Sequence, residues 1–424
     1  MLRICVVLVF AIFEAVNADG GCCSECNTTP LKVPNIKTTC TESCRVRKEF
    51  THMTTNEKCA YIDAIKRVST EEPYKTKYKN LLCIHKKYFP HIHGDHPNYF
   101  FPWHRWFILQ YENLLREVDC SVTVPYWDWT TDANGRKWYD SSVWDIYSGL
   151  GGDGSKDDDN VVVDGPFKSP DWPMVPDNED CNEHPVLLKR NFNESGSYSA
   201  IHIQLSLQIP SFPQFSNTAE ATYHDNMHDF IGEIMGSRRS AFAPEFFLHH
   251  GFIDKIWSDW EKNETRVNDM MKYFQCNDNE LVGTLGMNAS NFLNLTNLPG
   301  DICVRYEDYN DSPMSLLQGL TLEQLRNIPF VPPPPISQHG IKLFLLPKSM
   351  VHEVERIMDN LGPLCVIPPG MTSRKIMKMG FNVDDIQRVR VGKSCALHHV
   401  RSKNEKKNER IQSSEFMRFF NVRE

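Results

Sequence analysis

The segment HKKYFPHIHGDHPNYFFPWHRW, residues 85–106, places five of the chain's 16 histidines among closely spaced aromatic residues. Imidazoles crowded among rings need hydrogen-bond partners inside the protein or a metal ion to bind. A second set follows in HDNMH, where His224 and His228 are four residues apart and share one face of a helix. A third nitrogen would come from His249 or His250, which are adjacent, so that only one of them can face a common site.

The ligand chemistry narrows the choice of metal. In the first segment, His85, His93 and His104 offer a parallel set of three nitrogens, with His96 as an alternative to His93. Two sets of neutral imidazoles, with no cysteine or carboxylate at ligand spacing, suit copper better than calcium or magnesium. Zinc also accepts three histidines. A lone HxxxH pair, by contrast, is more often two ordinary polar side chains on a helix.

The hydrophobic periodicity predicts a mainly α protein. Residues 223–235 and 244–261 are predicted helices, and the chain that carries His85 and His93 looks less regular. Residues 103–119 form a third predicted helix, whose apolar stripe comprises Trp106, Leu109, Leu114 and Val118. The Gly- and Asp-rich residues 149–160 are predicted as a solvated loop; calcium binding is a weaker alternative because EF-hand spacing is absent.

The chain divides into five predicted parts. Its first residues, MLRICVVLVFAIFEAVNADG, have an early Arg3, an apolar run and a small-residue exit, which is typical of a secretory signal. A membrane anchor is the less favoured alternative, because the apolar run is shorter than the roughly 18–20 residues that span a membrane. The proline run VPPPPI predicts a stiff connector. The parts are a signal peptide (1–18), a Cys-rich segment (19–45), the main domain (46–330), the proline-rich connector (331–336) and a small C-terminal unit (337–424).

Cysteines and glycosylation sequons predict an extracellular protein, while charge and hydropathy argue against nucleic-acid and membrane partners. Thirteen cysteines follow the signal, and the group Cys22, Cys23, Cys26, Cys40 and Cys44 is typical of disulfides. Cys365 and Cys395 lie in the C-terminal unit. The net charge of -8 argues against a nucleic-acid partner, and no later segment is long enough to cross a membrane. Six glycosylation sequons are present, at Asn27, Asn193, Asn263, Asn288, Asn294 and Asn310.

The motifs IHG…FFPWHRW and HxxxH…PEFFLHHGFID, with VPYWDW between them, resemble the paired signatures of the tyrosinase family. That family of coupled dinuclear copper proteins includes catechol oxidases and molluscan haemocyanins. The likeness covers about residues 46–260 and is similar above all to secreted tyrosinases of invertebrates such as molluscs and flatworms. It implies a helical-bundle core that houses a dinuclear copper site, with the Cys-rich segment before it and the small C-terminal unit after it.

The resemblance also implies the ligands. His85, His93 and His104 would hold one copper ion, and His224, His228 and His250 the other. His250 is preferred to His249 because three residues separate it from Asp254, as in the family pattern. Two extra residues between IHG and FFPWH leave the choice between His93 and His96 open.

Two further departures from the family pattern concern Ala243 and Cys83. Ala243 replaces the Asp of the DPxF motif, which predicts the loss of a helix cap. Cys83-Ile84-His85 resembles a Cys-X-His thioether pair, but the linked histidine would be the wrong ligand. A disulfide or a free thiol at Cys83 is therefore the preferred interpretation.

Two acidic residues are candidates for catalysis. Glu220, with Phe215 five residues before it, resembles the family's FxxxxE pattern, in which a Glu holds a water that helps to deprotonate the phenol. Its alternative is a solvated Glu in the first turn of a helix. Asp225 stands where many hydroxylating relatives have Asn, which makes diphenol oxidation a firmer prediction than monophenol hydroxylation.

Other residues near the signatures are predicted to support the site. Phe246 is a candidate for stacking under the ligands of the second copper, although plain core packing is the preferred interpretation. Arg105, Asp128 and Asp254 are expected to form hydrogen bonds and ion pairs behind the ligands.

The function that the resemblance implies is oxidation of monophenols and o-diphenols to o-quinones, with two copper ions as cofactor and O2 as co-substrate. The substrates would be small phenols and catechols, or tyrosyl and DOPA side chains of matrix proteins, for pigment formation or tanning of a matrix, shell or eggshell. Alternatives are a haemocyanin-like dioxygen carrier and a non-catalytic secreted matrix protein. Whether the C-terminal unit covers the site is left open by the sequence.

Overall fold

The computed structural model describes residues 32–37, 40–41, 44–95, 99–130, 137–172, 175–176, 185–194, 196, 198–309, 312–328 and 333–361. The predicted signal peptide lies outside these ranges. So do His96, part of the proline-rich connector and most of the predicted C-terminal unit, including Cys365 and Cys395.

The described chain is mainly α-helical, as the periodicity predicted. Two one-turn π-helices, His91–Asp95 and Glu220–His224, directly follow α2 and α5. In chain order the helices are α1 (Thr55–Thr70), α2 (Tyr74–Pro90), α3 (Phe100–Arg116), α4 (Ala200–Ser206), α5 (Phe212–Ala219), α6 (Asp225–Ile231), α7 (Glu245–Trp260), α8 (Glu264–Asn277), α9 (Pro313–Leu316), α10 (Leu322–Arg326), α11 (Gln338–Leu343) and α12 (Lys348–Leu361).

Strands are few and short. β1 (Arg45–Arg47) pairs in parallel with β4 (Val304–Tyr306), in the register Arg45 to Val304. β2 (Val175–Pro176) pairs antiparallel with β3 (Pro185–Val186). The first pair joins chain segments that are far apart in sequence, and it brings two arginines of β1 under helix α3.

The predicted helices at residues 103–119 and 244–261 are confirmed as α3 and α7. The helix predicted at 223–235 ends earlier, at Ile231, because Gly232 adopts a φ of 72°, in the left-handed region that glycine tolerates. The expectation of irregular chain around His85 and His93 was wrong, since His85 lies on α2 and His93 on the π-turn that follows.

Helices α3 and α7 form the centre of the core, and buried ion pairs join them. All residues of α3 are buried, and α7 is buried except for Ser258 and Asp259. Arg105 of α3 donates from Nε to Asp254 Oδ1 of α7 at 2.7 Å, and its guanidinium lies 3.5 Å from the ring centre of Trp257. These contacts satisfy the buried charge and fix the position of one helix relative to the other.

Glu112 of α3 continues this network toward β1. It accepts hydrogen bonds from Arg45 Nη1 at 2.9 Å and from Arg47 Nε at 3.0 Å. Arg47 also reaches Asp254 at 3.3 Å. Burial alone would raise the pKa of Glu112, but the two arginines outweigh it and lower that pKa to about 2.

Disulfides tie the N-terminal part of the described chain to the helical core. Cys40 is bonded to Cys120 and Cys44 to Cys303, which confirms the disulfide prediction for these two members of the Cys-rich group. Its other members, Cys22, Cys23 and Cys26, lie outside the described residues. Cys83 is also disulfide-bonded, which is the preferred alternative at that position and excludes a thioether in this state. Among the described cysteines, Cys59 and Cys276 are free and exposed.

Residues 149–160 form a loop, as predicted, with a single 3-10 turn at Lys156–Asp158. Among the described residues, no helix combines the length and apolar character that crossing a bilayer requires.

Residues 337–361, which we call the strap, follow the proline-rich connector and pack on the helical core. Asn226 of α6 receives a hydrogen bond from the Ser337 backbone N–H at 2.9 Å and donates one to the Pro335 carbonyl at 2.9 Å. Ser337 Oγ donates to Asp229 at 2.7 Å. The apolar side of the strap forms a cluster with the core that comprises Phe89, Ala221, Phe344, Leu346, Met350, Val351 and Val354.

Candidate metal centre

The first histidine group consists of His85, His93 and His104. Helix α2, the π-turn after it and helix α3 each contribute one member, and all three side chains are buried. The ring centroids are 5.3 to 5.7 Å apart. Each residue offers a nitrogen within 4.8 Å of the other two, which is close enough for three ligands of one ion.

The second histidine group consists of His224, His228 and His250. His224 ends the second π-turn, His228 follows one turn later on α6, and His250 lies on α7. The Nε2 atoms of His224 and His228 are each 3.3 Å from Nε2 of His250. The HxxxH spacing therefore does place two imidazoles against the third.

His249 lies beside this group but is engaged differently. Its Nδ1 accepts a hydrogen bond from Trp129 Nε1 at 3.1 Å. His249 also has a nitrogen within 4.8 Å of the other three. His250 is better placed as the third ligand, because its Nε2 alone lies 3.3 Å from the Nε2 atoms of both His224 and His228.

The two groups lie directly against each other in the core. The rings of His104 and His250 stack with centroids 4.3 Å apart and planes inclined by 18°. The rings of His93 and His224 lie 5.7 Å apart with planes inclined by 20°. Two three-nitrogen sets at this separation can hold two metal ions side by side.

Four of these imidazoles have a defined orientation, because an acceptor holds Nδ1 and leaves Nε2 available to a metal ion. Two acceptors are backbone carbonyls and two are carboxylates. The pairs are His93 with Glu220 Oε1 at 2.8 Å, His104 with the Phe100 carbonyl at 2.8 Å, His224 with Asp225 Oδ1 at 2.7 Å, and His228 with the Met235 carbonyl at 2.8 Å.

The electrostatics of the site fit a metal pair. Burial lowers the pKa of all six imidazoles, to about 3 for His104 and about 4 for His228, so they are neutral near pH 7 and able to bind metal. The Nε2 atoms of the first group are buried and have no hydrogen-bond partner. Buried nitrogens of this kind are costly unless a ligand binds them.

Both carboxyl groups predicted for catalysis lie at the site. Glu220 and Asp225 are fully buried, and burial raises the pKa of each. One oxygen of each holds an imidazole, and the second, Glu220 Oε2 or Asp225 Oδ2, has no protein partner. A carboxylate of raised pKa is a strong acceptor for an imidazole N–H.

Phe344 of the strap was not singled out from the sequence, yet its ring covers the site. Its centroid lies 4.8 Å from that of His93, 5.3 Å from His224 and 5.6 Å from His228. No sequence motif marks Phe344, because its position depends on how the strap packs on the helical core. Phe246 stacks on His250 with ring centroids 4.1 Å apart, so the stacking that was the less favoured interpretation from the sequence is the one that the structure shows.

The remaining polar residues singled out from the sequence lie behind the ligands. Arg105 and Asp254 form the ion pair between α3 and α7. Asp128 Oδ1 accepts hydrogen bonds from the backbone and hydroxyl of Thr130. At Ala243 the expected loss of a cap agrees with the structure, since α7 begins without a side-chain cap hydrogen bond.

A helical core with two facing groups of buried histidines defines a dinuclear metal protein. A family model described as the common central domain of tyrosinase matches residues 75–263 of the chain. The tyrosinase of Streptomyces lincolnensis is 29% identical in an alignment 240 residues long, which covers 51% of this chain and 82% of the relative. The tyrosinase of Streptomyces antibioticus is 28% identical in an alignment 239 residues long, which covers 51% of this chain and 83% of the relative.

Among solved structures, a polyphenol oxidase of Thermothelomyces thermophila aligns with 64% of this chain and 91% of its own, at 20% identity and a TM-score of 0.49. On the family match and the sequence relatives, residues 75–263 form a tyrosinase-family domain. The chain thus carries a copper oxidase domain of that family, with a dinuclear copper cofactor and O2 as co-substrate.

Proposed function

We propose that this protein is a secreted oxidase that converts monophenols and o-diphenols to o-quinones. The observation that carries the proposal is the convergence of two buried histidine groups, with His104 and His250 stacked at 4.3 Å. When bound, the copper pair supplies the redox chemistry that couples oxidation of the phenol to reduction of O2. His85, His93 and His104 would hold one ion, and His224, His228 and His250 the other.

Glu220 and Asp225 act in this proposal as positioning residues. Each holds Nδ1 of one histidine, His93 or His224, so that the opposite nitrogen faces the metal. The second, unpartnered oxygen of Glu220 leaves it free to accept a proton from a phenol or to hold a water. Glu220 would therefore do more than hold a water, because it also contacts His93 directly.

The strap is proposed to keep the full chain latent. Phe344 packs against three of the six ligands and fills the space that the ring of a phenol needs. The strap is attached to α6 through Asn226 and Asp229, and it follows the proline-rich connector, so cutting that connector would allow it to leave.

Phe344→Ala tests latency. Truncating a buried Phe to Ala costs about 3–5 kcal/mol, and here that loss falls on the docked strap alone. We expect the rate of catechol oxidation to rise by roughly tenfold or more, because only the fraction of molecules whose strap is undocked can bind the catechol. Leu345→Ala, at a neighbouring side chain that is 47% exposed, is the matched control and should leave the rate unchanged. Equal rates for the wild type and Phe344→Ala would rule latency out.

Secretion and a tanning or pigment role complete the proposal. The disulfides Cys40–Cys120 and Cys44–Cys303 are typical of an oxidising compartment. o-Quinones react with amines and thiols, so a phenol oxidase in that setting can harden or colour an extracellular matrix, including one whose proteins present tyrosyl or DOPA side chains.

The test of the function is copper content per chain together with O2 uptake on a matched monophenol and diphenol, 4-methylphenol and 4-methylcatechol. Two copper ions and turnover of both compounds support the proposal. Turnover of the catechol alone restricts it to diphenols. Two copper ions that bind O2 reversibly without turnover would instead indicate a carrier, and a chain without copper would indicate a structural protein. Activated protein should be measured beside the full chain, since the strap covers the site.

A further inference from the structure

The protein has fourteen tyrosines, all within the described residues, and they differ sharply in exposure. Tyr147 is 87% exposed. The other thirteen are buried or half-buried. A single phenol of this protein is therefore openly accessible to another macromolecule.

The loop that carries Tyr147 is short and firmly held. Asp145 Oδ1 accepts hydrogen bonds from the backbone N–H groups of Tyr147 at 2.9 Å and Ser148 at 2.7 Å, and from the Ser148 hydroxyl at 3.0 Å. The loop is anchored on each side by a buried residue, Trp144 before it and Leu150 after it. Such a turn presents its side chain outward rather than letting it fold onto the surface.

The histidine site accepts an aromatic side chain that is carried on a polypeptide. Phe344 differs from tyrosine only by the phenolic hydroxyl, and its ring lies among His93, His224 and His228. It too is presented by a tight turn, since Leu345 next to it has a φ of 56°. A ring at the tip of a loop is thus a shape that this site admits.

We propose that Tyr147 is a modification site, oxidised to a peptidyl o-quinone by the histidine site of a second copy of this chain from which the strap has been withdrawn. This rests on the proposed function, and it specifies a protein-borne phenol as a substrate. One oxygen atom of O2 bonds to the ring carbon beside the hydroxyl, and the other leaves as water. The ring loses four electrons and two hydrogens in total, and O2 accepts them, so no further reductant is needed.

The reaction occurs between molecules. Tyr147 is on the surface while the histidine groups are buried, so the site of one copy meets the loop of another. The product quinone is open to attack by amines and thiols of neighbouring proteins. Such a reaction would attach this chain covalently to the matrix proteins that it oxidises.

The experiment uses the copper-loaded full chain with a specific protease site placed in the connector at residues 333–336, cleaved after folding. Two probes are added separately, 4-methylphenol and the peptide DIYSGL, which has the sequence of residues 145–150 without the fold. After reduction of quinones to catechols, mass spectrometry locates any tyrosine that has gained an oxygen atom. Tyr139, half-buried and eight residues earlier, is the internal control.

We expect the peptide and Tyr147 to gain oxygen, Tyr139 to remain unmodified, and the initial rate at Tyr147 to rise with the square of protein concentration. Tyr147→Phe should abolish the modified peptide and any covalent dimers. Oxidation of DIYSGL without oxidation of Tyr147 would overturn the inference, and so would oxidation of 4-methylphenol but not of DIYSGL. If no phenol is oxidised, while copper is bound, the proposed function fails and the inference fails with it.

Discussion

Each histidine group has one imidazole that is held by a carboxylate. The two groups differ in how far along the sequence that carboxylate lies from its histidine. In the second group, the carboxylate that holds His224 is Asp225, the next residue. In the first group, the carboxylate that holds His93 is Glu220, which is 127 residues away. Glu220 also begins the π-turn that ends at His224. The first group is therefore oriented only when both halves of the site have assembled, whereas the second is oriented largely by its own segment.

The largest expected effect comes from removing one ligand from either group. His104→Ala and His250→Ala should each lower the copper content and reduce phenol oxidation to background, because two ions sharing one site depend on both groups. His249→Asn is the matched control for the second group, since its neighbour supplies the better-placed nitrogen. Loss of copper in His249→Asn with retention in His250→Ala would reverse the assignment. Metal analysis with activity on 4-methylcatechol checks all three.

The next effect is on stability and concerns the buried ion pairs between β1 and helix α3, which carries His104 of the first group. Glu112→Gln leaves Arg45 and Arg47 buried with a neutral partner, so we expect the free energy of unfolding to fall by roughly 3–5 kcal/mol. Glu117→Gln, whose pair with Lys77 lies at the surface, should cost about 0–1 kcal/mol. Denaturant unfolding of the two variants checks this, and equal losses would show that the buried network contributes little.

The same carboxylate predicts a pH dependence. The pKa of Glu112 is lowered from its ordinary value of 4.5 to about 2 in the folded protein. Its stabilising contribution is therefore complete above pH 4.5 and is lost as the pH falls from there toward 2. The stability difference between the wild type and Glu112→Gln should shrink over that interval. A difference that stays constant between neutral pH and pH 2 would contradict the pairing.

The smallest expected effect comes from the carboxylates behind the two histidine groups, and it tests the difference between the groups most directly. Glu220→Gln and Asp225→Asn each remove one carboxylate behind a ligand, and losses of about 10- to 100-fold in copper affinity or activity are typical of such changes. We expect copper bound by the first group to be weakened in Glu220→Gln and copper bound by the second in Asp225→Asn. Chelator competition, followed by copper stoichiometry and spectroscopy, separates them. Glu233→Gln, an exposed carboxyl nearby, is the control, and identical copper behaviour of all three variants would remove the distinction between the groups.

Much of this site could be predicted from local sequence. The spacing of His224 and His228, and the placing of residues 103–119 and 244–261 on helices, follow from periodicities of a few residues, which act within a single helical turn. Resemblance to the tyrosinase signatures added which of the adjacent pair, His249 or His250, to prefer. The structure supports that preference through the contacts of His250 with the other two imidazoles.

Other features depended on contacts that no local pattern encodes. The π-turns that contain His93 and His224, the contact of Glu220 with His93 and the position of Phe344 all depend on packing between distant segments. The amino-acid sequence by itself determined which histidines are available as ligands, their helical spacing and the resemblance to the tyrosinase family, because those are properties of short stretches. Only the tertiary structure decided how the imidazoles are oriented and what covers them, because burial and hydrogen bonding are set by whichever segment packs alongside.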